Sequence, residues 1–137
     1  MQRKAALAGS IGLLLVALAH AVGHFAPAPT DPAFQTAWRA MAEVSLSLGF
    51  GWLPSLVDVW NSQSLTMLVL VAALGLINLR VARAGAGAEL ARTVFAVTAL
   101  ATGALAAVNV VSRVGMPAAS FAVVAGLFAV AAARARE

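Results

Sequence analysis

Four uncharged apolar runs in this chain are each long enough to cross a bilayer: Ala5 to about Phe25, Val59 to Leu79, Thr93 to Ser112, and Val114 to Ala133. About 20 residues of helix traverse a hydrocarbon core, so these runs predict four spans. The nine Lys and Arg residues then sort by side. With the N-terminus in the cytoplasm, Arg3, Lys4, Arg80, Arg83, Arg92, Arg134 and Arg136 lie inside, and only Arg39 and Arg113 lie outside. That bias is what the positive-inside rule demands, and it predicts both termini on the cytoplasmic face of a bacterial inner (plasma) membrane.

Composition agrees. The chain is 62% hydrophobic and 10% charged, against roughly 45–50% and about 25% in soluble domains. At 137 residues it has room for one domain. A net charge of +4 and a pI near 11.5 do not indicate nucleic acid, because the basic residues flank apolar runs and form no continuous stripe interleaved with aromatics. The absence of cysteine removes disulfides, thiolate nucleophiles and Cys-ligated metals. Gln2-Arg3-Lys4 and Ala19-His20-Ala21 resemble the two ends of a signal peptide. The apolar run continues past that site to Phe25, so the first segment is expected to remain as a membrane span.

Between the first two spans lies an external segment of about residues 26–58. Its prolines at 27, 29 and 32 break the first helix. Beyond them stand Arg39, Glu43, Asp58 and all three tryptophans, Trp38, Trp52 and Trp60. The longest uncharged run here, Val44 to Val57, has 14 residues and is too short to span. Crossing would also move Arg80, Arg83 and Arg92 outside and destroy the charge bias. The segment is therefore expected to be an amphipathic or re-entrant helical piece, with a helix from Ala33 to about Leu48. In that helix Trp38, Met41, Ser45, Leu48 and Trp52 share one face, and Arg39 and Glu43 pair at i,i+4. The indole rings suit the headgroup layer. The segment reads as a surface anchor, or alternatively as a lid over an external pocket.

Span two follows Asn61-Ser62-Gln63-Ser64, any of which is a suitable N-cap. The glycine-rich turn from Arg83 to Ala88 lacks the P-loop pattern and a preceding strand, so it is read as a flexible connection. Arg113-Val-Gly-Met-Pro117 is so short that spans three and four must form an antiparallel hairpin, with Pro117 in the first turn of the last helix. Small residues recur every four positions at Ala8/Gly12, Ala99/Gly103/Ala107 and Ala118/Ala122/Gly126. They are expected to serve close helix packing within the bundle rather than a dedicated dimer face.

Candidate chemistry is sparse. No Asp, Glu, Lys or Arg lies mid-span, which argues against a proton-coupled exporter and against a charged-ring channel. His20 and His24 stand one helical turn apart at the outer end of span one. Together with Glu43 and Asp58 they form the candidate catalytic or acid/base set, and the two histidines are a weak metal pair. Interfacial histidines bonded to backbone, water or a carboxylate are the plainer expectation, a lipid-headgroup contact is an alternative, and no metal or other cofactor is expected. His24 and Asp58 are expected to approach each other at the outer mouth of the bundle. Asn78 and Asn109 are expected to form interhelical hydrogen bonds. Trp38, Trp52, Trp60 and Arg113 are the candidates for lipid or ligand contact.

Gly23-His24, Met41, Ser55-Leu-Val-Asp58-Val-Trp60, Ser64-Leu-Thr-Met67, Gly75-Leu-Ile-Asn78 and Pro117 resemble a family of small bacterial four-span membrane proteins of unknown function. The resemblance implies the four-span layout and draws attention to His24, Asp58 and Ser64 without giving them roles. The chain is thus expected to be an all-α bundle of four transmembrane helices. The leading expectation for function is a non-enzymatic accessory subunit or a binder of lipid-like molecules. The alternatives are a small membrane enzyme acting on a lipid or isoprenoid at the outer leaflet through His20, His24, Glu43 and Asp58, or a transporter component active as an oligomer. Expected partners are membrane lipids, other membrane subunits or further copies of the chain, and not nucleic acid.

Overall fold

The computed structural model describes residues 2–47, 51, 53–112 and 114–135. Trp52 and Arg113, two of the candidate contact residues, and Leu48 and Arg136 lie outside the described residues. Five helices follow in order: α1 Gln2–Phe25, α2 Pro32–Glu43, α3 Leu56–Ala84, α4 Ala88–Val111 and α5 Gly115–Ala133. Four of them, all except α2, are long and apolar enough to cross a membrane. α3, at 29 residues, is about 43 Å long. It exceeds the hydrocarbon thickness, so its first turn reaches the headgroup level.

The spanning helices run up, down, up and down. α1 lies antiparallel to α3, since His20 meets Ser64 while Leu13 and Leu14 meet Gly75. It is also antiparallel to α5, since Gly9 faces Phe128 and Gly12 faces Val124. α4 packs most extensively on α5, and α1 on α3; the α1–α5 seam joins the two pairs. α3 and α4 are consecutive in the chain yet touch little. The core runs through Ala6, Leu13, Val71, Phe95, Phe121, Val124 and Phe128, with the rings of Phe95 and Phe128 stacked at 6.0 Å. Leu15, Leu18, Val22, Val69, Leu70, Leu100, Val108 and Val123 are exposed on the outer faces. Such a surface is an aggregation hazard in water and an ordinary one in hydrocarbon.

Local chemistry sets the boundaries. α2 begins where Asp31 accepts a hydrogen bond from the Phe34 N–H at 2.9 Å, with Pro32 at its first position. It ends at Glu43, earlier than the expected Leu48. Val44 is extended; the Leu46 N–H donates to the Pro54 carbonyl and the Leu56 N–H to the Val44 carbonyl, both at 2.9 Å. These bonds form an antiparallel bridge, Ser45 to Ser55, which takes over the backbone groups that a longer helix would have used. Ser45 therefore leaves the helical face expected for it. α3 starts three residues before the expected Val59, capped by Ser55 rather than by Asn61 to Ser64. Gly85, at φ 64°, ends it in the left-handed conformation that glycine adopts without a Cβ penalty.

The small-residue stripes divide. Ala118 is buried and Ala99 packs on the core. Ala107, Ala122 and Gly126 are exposed, and a Cβ on Gly103 or Gly126 would meet nothing within 4 Å. Close helix approach is instead made at Gly9, Gly12 and Gly75, where an added Cβ would come within 2.9–3.0 Å of a side chain on the facing helix.

Candidate functional site

α1 carries His20 to the same level as Ser64 of α3. The ring Nε2 lies 3.0 Å from the Ser64 carbonyl oxygen and 2.9 Å from Ser64 Oγ. A carbonyl oxygen only accepts, so Nε2 is the protonated nitrogen and donates. In the neutral ring this leaves the unshared pair on Nδ1, and His20 itself is exposed. The same tautomer prevents Nε2 from taking the Ser64 proton, the step a nucleophilic serine requires.

The other candidate polar residues do not join it. His24, one turn on and half-buried, packs edge-on against the Phe25 ring at 4.8 Å. Among the described residues no three His, Asp or Glu side chains gather to hold a metal ion. Arg39 and Glu43 are both exposed and do not pair with each other or with any other described residue. Asp58 turns back on its own helix rather than to His24. Its Oδ2 accepts from the Ser55 N–H at 3.0 Å and the Ser55 hydroxyl at 2.8 Å, while Ser55 Oγ accepts from the Asp58 N–H at 3.1 Å. This reciprocal cap satisfies both ends of the turn. The Ser55 hydroxyl, then the Ser55 backbone N–H, favour the carboxylate and hold the Asp58 pKa below its ordinary value.

Aromatic side chains collect at this end of the bundle. Phe34 and Trp38 of α2 stack at 5.7 Å and are half-buried. Trp60 on α3 is 60% exposed. α2 leans on α3, so the amphipathic helix covers one side of the bundle's end.

At the other end a polar layer is sealed within the core. Asn78 of α3 is wholly buried; its Nδ2 donates to the Leu74 carbonyl at 2.8 Å and to Thr98 Oγ1 of α4 at 2.9 Å. Thr98 and Thr102 are also buried and donate to the Val94 and Thr98 carbonyls of their own helix. On α1 the buried Ser10 donates to the Ala6 carbonyl, and the α1–α3 register puts it level with Asn78. Every hydroxyl proton is thus spent on a local carbonyl, and Asn78 Oδ1 has no partner. Turning the amide over would oppose two acceptors at the Leu74 carbonyl, so the orphan oxygen belongs to the packing. Asn109, expected to bridge helices, bonds its own Leu105 carbonyl.

A lateral cleft opens along the α1–α5 seam. It has a volume of about 420 Å³ and is walled by Gly12, Leu15 and Val16 on α1 and by Ala119, Ser120, Val123 and Val124 on α5. The only hydroxyl in its wall, Ser120, donates to the Met116 carbonyl at 3.1 Å, so the surface is apolar in effect. The groove exists because Gly12, Ala119 and Ser120 have short side chains on facing helices. Sequence reading found Gly12 as a packing residue, but nothing in a single sequence marks which short side chains on two helices will face each other. No protein-family profile matches the chain, and neither a curated protein nor a solved structure matches it.

Proposed function

We propose that this is a non-catalytic integral membrane protein that binds a lipid-like molecule, with its tail in the cleft between α1 and α5. The cleft carries the reading. It is an open groove walled almost wholly by apolar side chains, a surface that an acyl tail fits. Its mouth opens sideways at mid-span, where hydrocarbon is the only solvent. The distribution of basic residues supports a plasma-membrane location with both termini cytoplasmic and α2 on the outer face.

The test is retention of lipid. Native mass spectrometry of the protein released from detergent is expected to show bound lipid on the wild type. Ala119→Leu, at an exposed position in the cleft wall, fills the groove from the α5 side and should strip it. Equal retention by the variant would sink the reading.

One observation favours a second reading, an enzyme acting on a lipid ester: Ser64 Oγ lies 2.9 Å from His20 Nε2. The carbonyl contact fixes the ring in the unproductive tautomer, and among the described residues no carboxylate bonds Nδ1, so the binding role is preferred. Ester hydrolysis lost in Ser64→Ala would reverse that preference.

A further inference from the structure

Each wall of the groove leads along its own helix to a cation. On α1, Leu15 lies in the wall, and Lys4 stands eleven residues before it. On α5, Val123 lies in the wall, and Arg134 stands eleven residues after it, at the C-cap with right-handed helical backbone. Eleven residues make three helical turns with about 20° left over and about 16 Å of rise. Lys4 therefore shares a helix face with Leu15, and Arg134 with Val123. The antiparallel register pairs Gly12 with Val124 and Gly9 with Phe128. Carried on to the helix ends, it sets Lys4 level with the last turn of α5. Lys4 and Arg134 are both exposed.

The path between cations and groove is apolar. From Ala5 to Leu15, α1 has Ser10 as its only polar side chain, and Ser10 is buried; α5 has none from Val124 to Ala133. One leaflet of hydrocarbon is about 15 Å deep. An acyl tail whose headgroup stands at Lys4 and Arg134 thus reaches the groove at mid-span.

This end of the bundle also carries Arg3, Arg80, Arg83 and Arg92, against the one acid Glu89 among the described residues. Such an excess attracts any anion. Lys4 and Arg134 alone among these continue the walls of the groove. Arg3 is turned about 100° from Lys4 around α1, and the others stand on α3 and α4.

We propose that the groove takes the tail of an anionic phospholipid from the leaflet on the side of the chain termini, with the lipid phosphate held between Lys4 and Arg134. This assignment rests on the groove as the tail site, and the two ideas fail separately. The aliphatic walls are indifferent to the headgroup. The cations select it: a guanidinium pairs two phosphate oxygens at once, and an ammonium adds a point charge. A phosphatidylcholine brings its own cation, which competes with them.

Titration of the purified protein by native mass spectrometry at low salt, with palmitoyl-oleoyl phosphatidylglycerol and with the matching phosphatidylcholine, isolates the headgroup, since the two share their tails. Wild-type protein is expected to prefer the anionic lipid about 25-fold, about five-fold for each basic side chain. Lys4→Gln and Arg134→Gln should each take about five-fold from that preference, and the double variant should abolish it. Arg83→Gln with Arg92→Gln, which removes the same charge from α3 and α4, should keep it. Ala119→Leu should weaken both lipids alike. Equal binding of the two lipids by the wild type overturns the headgroup assignment and leaves the tail site standing. An equal loss in the two double variants overturns it in favour of diffuse attraction by the whole basic end. Loss of the preference in Arg113→Gln overturns it in favour of a headgroup at the other end of the span. Unchanged binding of both lipids by Ala119→Leu overturns the tail site itself. The wild-type comparison needs no variant, so it tests the headgroup even where a substitution disturbs folding.

Discussion

At the scale of single residues, Asn78 stands out among the described residues as a buried side chain with an unpartnered oxygen. A buried acceptor without a partner costs about 1–3 kcal/mol, whereas an interhelical hydrogen bond in lipid returns only about 0.6 kcal/mol on average. Asn78→Leu is therefore expected to leave the protein at least as stable as the wild type in a reversible unfolding assay in bicelles. Thr98→Val, which removes one acceptor of the Asn78 amide, should destabilise it. Asn78 was legible in the sequence as a residue bonding between helices. Its partner and its orphan oxygen were not, because both depend on which turn of α4 faces α3. Asp58 shows a similar limit. An acid and a histidine at two span ends suggest an ion pair, but Ser55, three residues away, wins the carboxylate through a local turn with little loop entropy to lose. The sign of the pH effect reverses accordingly. A carboxyl held below its ordinary pKa contributes stability that is fully present above the unfolded pKa, and this is lost as pH falls through the folded one. The first turn of α3 should thus loosen in acid, seen as faster amide exchange at Leu56 to Val59, and Ser55→Ala, which keeps only the backbone N–H bond, should weaken that dependence.

At the scale of elements, helix approach is governed by three glycines rather than by the longest stripes of small residues. A Cβ on Gly75 would stand 2.9 Å from Leu14, and one on Gly9 would stand 3.0 Å from the Phe128 ring. Gly75→Ala and Gly9→Ala should each destabilise the bundle by about 1–3 kcal/mol, the usual cost of overpacking. Gly126→Ala, whose Cβ meets open space, should be neutral or slightly stabilising through helix propensity. Unfolding of the three variants side by side checks the ranking. The four spans were readable because lipid imposes a minimum length on each. The rotation of each helix was not, since alanine is abundant on every face and leaves no amphipathic signature. α2 was readable as an amphipathic helix at the bundle's end, but its last turn was overestimated because strand-like pairing between Val44–Leu46 and Pro54–Leu56 competes with helix.

For the whole molecule, four helices long and apolar enough to span would return the chain to its starting side, and the proposed side is the cytoplasmic one, from the distribution of charge. A chain without cysteine makes this simple to read. Gly87→Cys should react with an impermeant maleimide only from the cytoplasmic side of the membrane, and Ser47→Cys only from the opposite side; periplasmic labelling at position 87 would invert the arrangement. The loose α3–α4 contact has a consequence for how the molecule is built. Each antiparallel pair, α1 with α3 and α4 with α5, forms half of the bundle, and the halves meet chiefly along the α1–α5 seam, with the Asn78–Thr98 bond as a second tie. The peptide link through Gly85-Ala86-Gly87 then transmits little of the architecture. Two fragments divided at that turn and made as separate polypeptides in one cell should find each other in the bilayer and rebuild the same four-helix body, cleft included.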